Sequence, residues 1–424
     1  MTVGEARLRA EARWGPAWGL AVLFLANVLN LADRTLLGIV TDPVKADLRL
    51  TDTQISIVAG FAFVAFNLIV GIFIAGWVDK GNRKAILLGS VILWSSATAG
   101  TGLAQDFWSL ALARILVGVG EATAFPVALS MIADLFIVPR RPRAVAIFQT
   151  SNFVGVVLGS VAAGMLAAAH GWRWMFYLCG AAGAVVFLVI LIGLREPARG
   201  QHDAVRTPAP GTLWESLKAT GRVPGFAWLA MGYAMSGMAV AILPVWAPAF
   251  LLRSHGVALA DVGKVIGPAV GIGGLAGTIL SGMVATWVVR RTGRQASSLL
   301  VPLVALPLAA PLYALFLFAP SLGLTMTAVG LMNFLLASSL GPCVALSIGI
   351  VAPGMRGVAS TLMLAMQGII GAALAPFLVG VVSDVLAPAF GAESLRYAMM
   401  MMIVAPLLAS GMLFLAWRRV ADDG

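Results

Sequence analysis

The sequence predicts an all-α membrane protein: twelve transmembrane helices in two pseudo-symmetric six-helix bundles, with both termini cytoplasmic. Three observations carry this reading: an apolar composition with little charge, a six-plus-six series of apolar runs, and basic residues gathered in alternate loops. Of the 424 residues, 60% are hydrophobic and 11% are charged, with a mean hydropathy of +0.96. A soluble domain carries about 25% charge. One spanning helix takes roughly 20 apolar residues, so about a dozen spans use up the length and leave no room for a separate catalytic domain.

The apolar runs fall near 17–40, 53–78, 85–104, 107–135, 144–168 and 174–194, then near 225–252, 261–289, 297–318, 322–348, 358–383 and 395–417. They are spans 1 to 12 below. The first run is too long for a signal-peptide core and lacks a small-residue cleavage site, so it reads as a retained helix. Between spans 6 and 7 lies a polar stretch with Arg195, Glu196, Pro197, Arg199, His202, Asp203 and Arg206. It divides the chain into a first bundle (1–194), a cytoplasmic linker (195–223) and a second bundle (224–424).

Orientation follows from the basic loops, whose translocation is disfavoured. Arg7, Arg9 and Arg13 precede span 1; Lys80, Arg83 and Lys84 follow span 2; Arg140, Arg141 and Arg143 follow span 4. The linker, Arg290, Arg291 and Arg294 after span 8, Arg356, and Arg418 with Arg419 complete a set that holds most of the 28 Lys and Arg residues. All fall on one side, which is therefore cytoplasmic. The net charge of +10 reflects this topology rather than nucleic-acid binding. The cluster after span 2 returns after span 8, six spans later, as two parallel halves require.

Other chemistries find no footing. Cys179 and Cys343 lie inside apolar runs and read as small hydrophobes. His170, His202 and His255 fall in predicted loops, so no intramembrane histidine metal site is expected. No Gly-x-x-x-x-Gly-Lys phosphate loop is present, and no nucleophile stands with a base. The expectation is a secondary transporter with no cofactor and no metal, not an enzyme. Pro126, Pro244, Pro248, Pro268, Pro307, Pro342 and Pro376 inside spans permit bends.

An ionised side chain at mid-bilayer costs at least about 2.5 to 3.5 kcal/mol, so intramembrane charges are functional candidates. Asp33, Arg34, Arg114 and Glu121 are such charges. Arg114 and Glu121 are seven positions apart, almost two helical turns, and share one face at about 10 Å along the axis, with Gly118 between them. Span geometry puts Glu121 at the midplane, with Asp33 and Arg114 at one level nearer the outside. An Asp33–Arg114 pair is therefore allowed. Arg34 is turned about 100° from Asp33, free to snorkel or to meet an anionic substrate. Asp33 and Glu121 are expected to exchange protons, with Arg114 tuning their affinities, because burial favours a neutral carboxyl and a nearby guanidinium favours the anion.

Spans 7, 10 and 11 carry no charge in their cores, only polar groups. The expected substrate contacts are Arg34, Asn30 and Asn152 from the first bundle and Tyr233, Ser236, Asn333 and Gln367 from the second. One charged wall and one largely apolar wall suit an amphipathic substrate.

Particular motifs carry a family resemblance. Gly76-Trp77-Val78-Asp79-Lys80-Gly81-Asn82-Arg83-Lys84 resembles the signature between helices 2 and 3 of major facilitator transporters, with Ala75 and Asn82 where glycine is usual. The Asp-Lys-x-Asn-Arg-Lys form, Arg114-Ile115-Leu116-Val117-Gly118-Val119-Gly120-Glu121-Ala122, Ile132-Ala133-Asp134-Leu135-Phe136 and Asn30-Leu31-Ala32-Asp33-Arg34 are similar to the Spinster branch. Gly155, Gly159 and Gly164, Trp172-Arg173-Trp174 and Arg356-Gly357 extend the general likeness along the chain, whereas the Spinster-specific part is confined to the first half. Symporters of small organic ions also show Asp-Arg in helix 1 and the pattern of Gly118, Glu121, Ala122 and Pro126 in helix 4.

The resemblance implies that Asp79, Lys80, Arg83 and Lys84, joined by Asp134, are gating residues that latch the cytoplasmic helix ends. It also implies a lysophospholipid-like or sphingolipid-like cargo. The alternative is a proton-coupled symporter of small organic anions. The partners expected are that substrate, protons and membrane lipid, for a monomer in a bacterial inner membrane.

Overall fold

The computed structural model describes residues 15–199, 213–352 and 355–422. Twelve helical rods occupy the predicted spans among these residues. The first six are α1 (Pro16–Ile39), α2 (Asp52–Ser56, Ile57–Ala62 and Phe63–Lys80), α3 (Arg83–Thr101), α4 (Phe107–Glu121 and Ala124–Leu135), α5 (Arg141–His170) and α6 (Trp172–Gly193). The last six are α7 (Phe226–His255), α8 (Leu259–Thr292), α9 (Gln295–Leu299 and Leu300–Phe318), α10 (Leu322–Leu336, Ala337–Ser339 and Leu340–Gly349), α11 (Arg356–Met366, Gln367–Leu374 and Ala375–Phe390) and α12 (Ser394–Met400, Met401–Ile403 and Val404–Asp422). Ten stretches of the described chain are long and apolar enough to cross a membrane; α3 is not among them, and α11 and α12 fall within one.

The rods begin where side chains can replace missing helix partners. The Thr51 hydroxyl accepts from the Gln54 N–H ahead of α2 in a capping box, Asn82 caps α3 through Ala85, and Asp106 with Ser109 starts α4. Gly256 (φ 61°) and Gly293 (φ 69°) end α7 and α8 in the left-handed region, where a side chain would be strained.

Three interruptions escape a reading of hydropathy alone. The α4 rod breaks at Ala122 and Thr123, because Pro126 has no N–H for the Ala122 carbonyl and its ring crowds that oxygen. Rod α2 contains a π-helical segment, Ile57–Ala62, and α11 contains another, Gln367–Leu374, which ends just before Pro376. A short helix, Thr41–Leu48, occupies the loop expected between spans 1 and 2.

The two sets of six rods meet along close backbone contacts. A methyl group on Gly38 of α1 would lie 1.8 Å from the Pro244 carbonyl oxygen of α7, and one on Gly263 of α8 would lie 1.8 Å from that of Ser160 in α5. Gly267 and Gly271 continue the α8 seam against Val157. Only hydrogen fits there, so small residues let the helices approach as they do in membranes. Rods α2 and α11 meet at Gly60, where a methyl would stand 3.2 Å from the Ala372 carbonyl oxygen.

Candidate functional site

The four intramembrane charges converge from α1 and α4, in an arrangement that differs from the expected one. Arg34 Nε donates to Glu121 Oε2 at 2.7 Å. The Glu121 side chain is fully buried, whereas that of Arg34 is 39% exposed. Asp33, 1% exposed, accepts from the Thr98 hydroxyl of α3 at 3.1 Å. Arg114 is equally buried, and its Nε and Nη1 have no hydrogen-bond partner. The allowed Asp33–Arg114 pair is thus not formed. Asp33 faces α3, while Arg34, one position along and turned about 100°, reaches across to α4 and neither snorkels nor stays free.

Glu121 is the last residue before the break in α4, and Thr123 beyond it pairs with the Ser90 hydroxyl of α3. Glu121 Oε1 and Asn30 Nδ2 are also buried without partners. Such groups cost about 1 to 3 kcal/mol each when left unpaired. The site therefore holds more hydrogen-bonding capacity than this arrangement uses.

Of the other predicted contact residues, Asn152 accepts from Asn27 Nδ2 at 2.7 Å, joining α5 to α1. Ser236, buried in α7, shares a 2.9 Å hydrogen bond with Ser339 of α10. Asn333 donates to the Val270 carbonyl at 2.6 Å and keeps an unpartnered Oδ1. Tyr233 is buried. Gln367 is half-buried and opens the π segment of α11; a methyl on Gly237 of α7 would meet its Cγ at 2.8 Å. Ser236 of α7 thus meets a hydroxyl of α10, Asn333 of α10 the backbone of α8, and Gln367 of α11 a glycine of α7.

Each end of the bundle carries its own charge network. At one end Arg83, 1% exposed, pairs with Asp134, bonds Glu196 at 2.6 Å and donates to the Ser130 and Pro197 carbonyls. The Lys84 N–H bonds Glu196 at 2.8 Å, and Lys84 Nζ caps the Leu191 carbonyl. Arg83, Lys84 and Asp134 therefore come together as expected, around Glu196, a linker residue that sequence reasoning had not singled out. The side chains of Asp79 and Lys80 lie outside the described residues.

The opposite end was missed entirely. Arg253, near the end of α7, reaches Asp42 at 2.6 Å and Asp52 at 2.8 Å. Lys45 also holds Asp52 at 2.6 Å, and Ser383 donates to it at 2.7 Å. Asp384 of α11 accepts the backbone N–H groups of Asp52 and Thr53 at 3.0 and 2.7 Å, where a carboxylate suits the helix dipole of α2. Ser56 and Trp246 both donate to the Pro376 carbonyl, at 2.9 and 3.0 Å. Its only signal in the sequence is faint, since acids and bases in one short loop are ordinary surface charges until the partner half is placed.

A model of the Major Facilitator Superfamily matches residues 23–376. The chain belongs to that superfamily. It is 30% identical over 408 residues to an MFS-type efflux pump of Mycolicibacterium smegmatis, covering 95% of this chain and 93% of that protein. It is 29% identical to Protein spinster homolog 1 of Xenopus tropicalis, covering 92% and 78% respectively. Among solved structures, a bacterial homologue of the human lysosomal transporter Spinster, inward-facing and unoccupied, superposes with a TM-score of 0.86 at 28% identity, covering 96% of this chain and 98% of that one. This major facilitator protein is a Spinster-like transporter and not an enzyme. The Spinster resemblance first carried by the motifs of α1, α2 and α4 extends over the second half as well.

Proposed function

We propose that this transporter is a proton-coupled secondary carrier that works by alternating access, with twelve spans, both termini cytoplasmic and the chain monomeric in a bacterial inner membrane. Its bodies are the bundles 1–194 and 224–424, joined by the linker 195–223. The observation that carries the reading is the buried, under-satisfied charge group: Glu121 held by Arg34, Asp33 held only by a hydroxyl, and Arg114 bonded to neither. Two carboxyls and two guanidiniums with alternative partners can exchange pairings as the bundles rock, and each exchange changes which carboxyl is stable as an anion.

Glu121 and Asp33 are then the proton carriers, and Arg114 the tuning cation. Replacing Glu121 by Gln in proteoliposomes abolishes proton-driven accumulation while substrate exchange persists. Unchanged accumulation in that variant sinks the proposal.

The substrate read from the walls is amphipathic and lipid-like, of the lysophospholipid or sphingolipid type. Arg34, the exposed cation of the group, offers its head a contact, with Asn30 and Asn152 on the same side. Tyr233, Ser236, Asn333 and Gln367 form an uncharged opposite wall. The M. smegmatis relative named as an efflux pump supports outward movement. A thermal-stability screen of lysophospholipids, sphingoid lipids and small organic acids decides the class; stabilisation by small acids alone replaces this reading with the organic-anion symporter.

Gating falls to the two end networks. Arg83, Lys84 and Asp134, with Asp79 and Lys80 beside them in sequence, brace the end where the basic loops gather. The network of Arg253, Asp42 and Asp52 closes the other.

A further inference from the structure

Phe63 lies beside the charge group. It is the first residue of α2 after the π segment, and its side chain is buried. Two guanidiniums lie against its ring: Arg34 Cζ is 5.3 Å from the centroid and Arg114 Cζ is 5.4 Å. No other ring is seen to serve two cations among the described residues.

The backbone around Phe63 is fixed on both sides. Toward α4, a methyl on Gly118 would lie 2.7 Å from the Phe63 carbonyl oxygen and 3.3 Å from Cδ2, and Asn67 donates to the Gly118 carbonyl at 3.1 Å. Gly118 stands between Arg114 and Glu121. Toward the other half, a methyl on Gly368 of α11 would meet Leu68 at 3.1 Å and Val64 at 3.6 Å, and the Phe61 ring lies 6.3 Å from that of Phe377. This turn of α2 is therefore packed between the charge group and the opposite bundle.

Like-charged guanidiniums repel, and in a dry site each is drawn to the nearest carboxylate. An aromatic face carries negative potential and attracts a cation without accepting its proton. With the ring in place, Arg34 alone holds Glu121, and Arg114 rests beside the ring with two N–H-bearing nitrogens unpartnered.

We propose that Phe63 is a positioning residue of the proton-exchange site, whose ring holds Arg34 and Arg114 apart and determines which of them pairs with Glu121. Because α2 carries the ring at its contact with α11, movement between the bundles turns the ring between the two guanidiniums, on a backbone held to α4, and gives Arg114 access to Glu121. This inference rests on the proton-coupled reading above.

Infrared difference spectra of the full chain in lipid nanodiscs test it without any substrate. The carboxyl C=O band of the buried acids is followed against pH, with E121Q and D33N identifying the contributions. F63L removes the aromatic face at similar bulk, with F63M as a second such variant should F63L fail to insert. F63W keeps the face. The expected result is a pH profile displaced by about one unit in F63L, a ~tenfold change in proton affinity of the size one lost cation–π contact supplies, and restored in F63W. An F63L profile that overlays the wild type, or an F63W profile displaced as far as that of F63L, overturns the role of Phe63 and leaves proton coupling standing. A wild-type band that does not titrate removes the proton-coupled reading and this inference with it.

Discussion

The two ends of the bundle use buried charge in opposite ways. At the Arg253 end, the ion pairs and helix-capping bonds cross from the first half to the second: Arg253 to Asp42 and Asp52, and Asp384 to the N-terminus of α2. At the Arg83 end, Arg83 gathers Asp134, Glu196 and the Pro197 carbonyl, all from the first half and the start of the linker. A network that spans two bodies holds them together, whereas one inside a single body keeps that body rigid while it moves. Among the described residues the Arg253 end is therefore the clasped end, whereas the contacts of Arg83 brace the first half and the start of the linker.

The sharpest way to break this contrast is Arg253→Gln. Removing Arg253 leaves Asp42 without its cation and Asp52 with only Lys45 and Ser383, so the loss falls at the lower end of the about 3–5 kcal/mol that breaking a buried pair costs. The Asp52 side chain is only 2% exposed, so little solvent screening intervenes. The clasped state loses that free energy, and spin-label distances between the bundles shift toward separation at the Arg253 end. An unchanged distance distribution contradicts the clasp.

Arg83→Gln removes a buried cation of similar partnership, and about 3 kcal/mol is expected. Here the loss belongs to the first bundle and the start of the linker. The melting temperature in detergent falls, while the same inter-bundle distances keep their distribution. A change in distribution as large as that of Arg253→Gln erases the distinction between the ends.

Gly263→Ala is the smallest of the three. Its methyl would stand 1.8 Å from the Ser160 carbonyl, so α5 and α8 must part, at about 1–3 kcal/mol for overpacking. The contact lies between the bundles, and the distances should move in the direction of Arg253→Gln by a smaller amount, with little change in melting temperature.

The periodic and compositional features of the fold are legible in the sequence. Spans 7 and 8, expected near 225–252 and 261–289, appear as Phe226–His255 and Leu259–Thr292. The gathering of Arg83, Lys84 and Asp134 was implied by the resemblance of their motifs to those of the family. Pairing inside the charge group was not. Depth along two helices made Asp33 and Arg114 neighbours, but depth says nothing of rotation, and rotation turns Asp33 toward Thr98 of α3 and Arg34 toward Glu121. Phe63 carried no signal, since one aromatic residue in an apolar run is ordinary until two cations are found on its ring.

By itself the sequence determined where the long apolar helices lie, in which loops the basic residues gather, and which few charges must be buried. Those are properties of one segment at a time: the length of an apolar run, the cost of a charge in lipid, the need of a helix end for a cap. Tertiary structure alone decided which charge meets which, where the bundles touch and at which end they are held. These depend on the rotation and approach of separate helices, set by contacts such as Gly38 on Pro244 and Gly263 on Ser160, between residues more than a hundred positions apart in the chain.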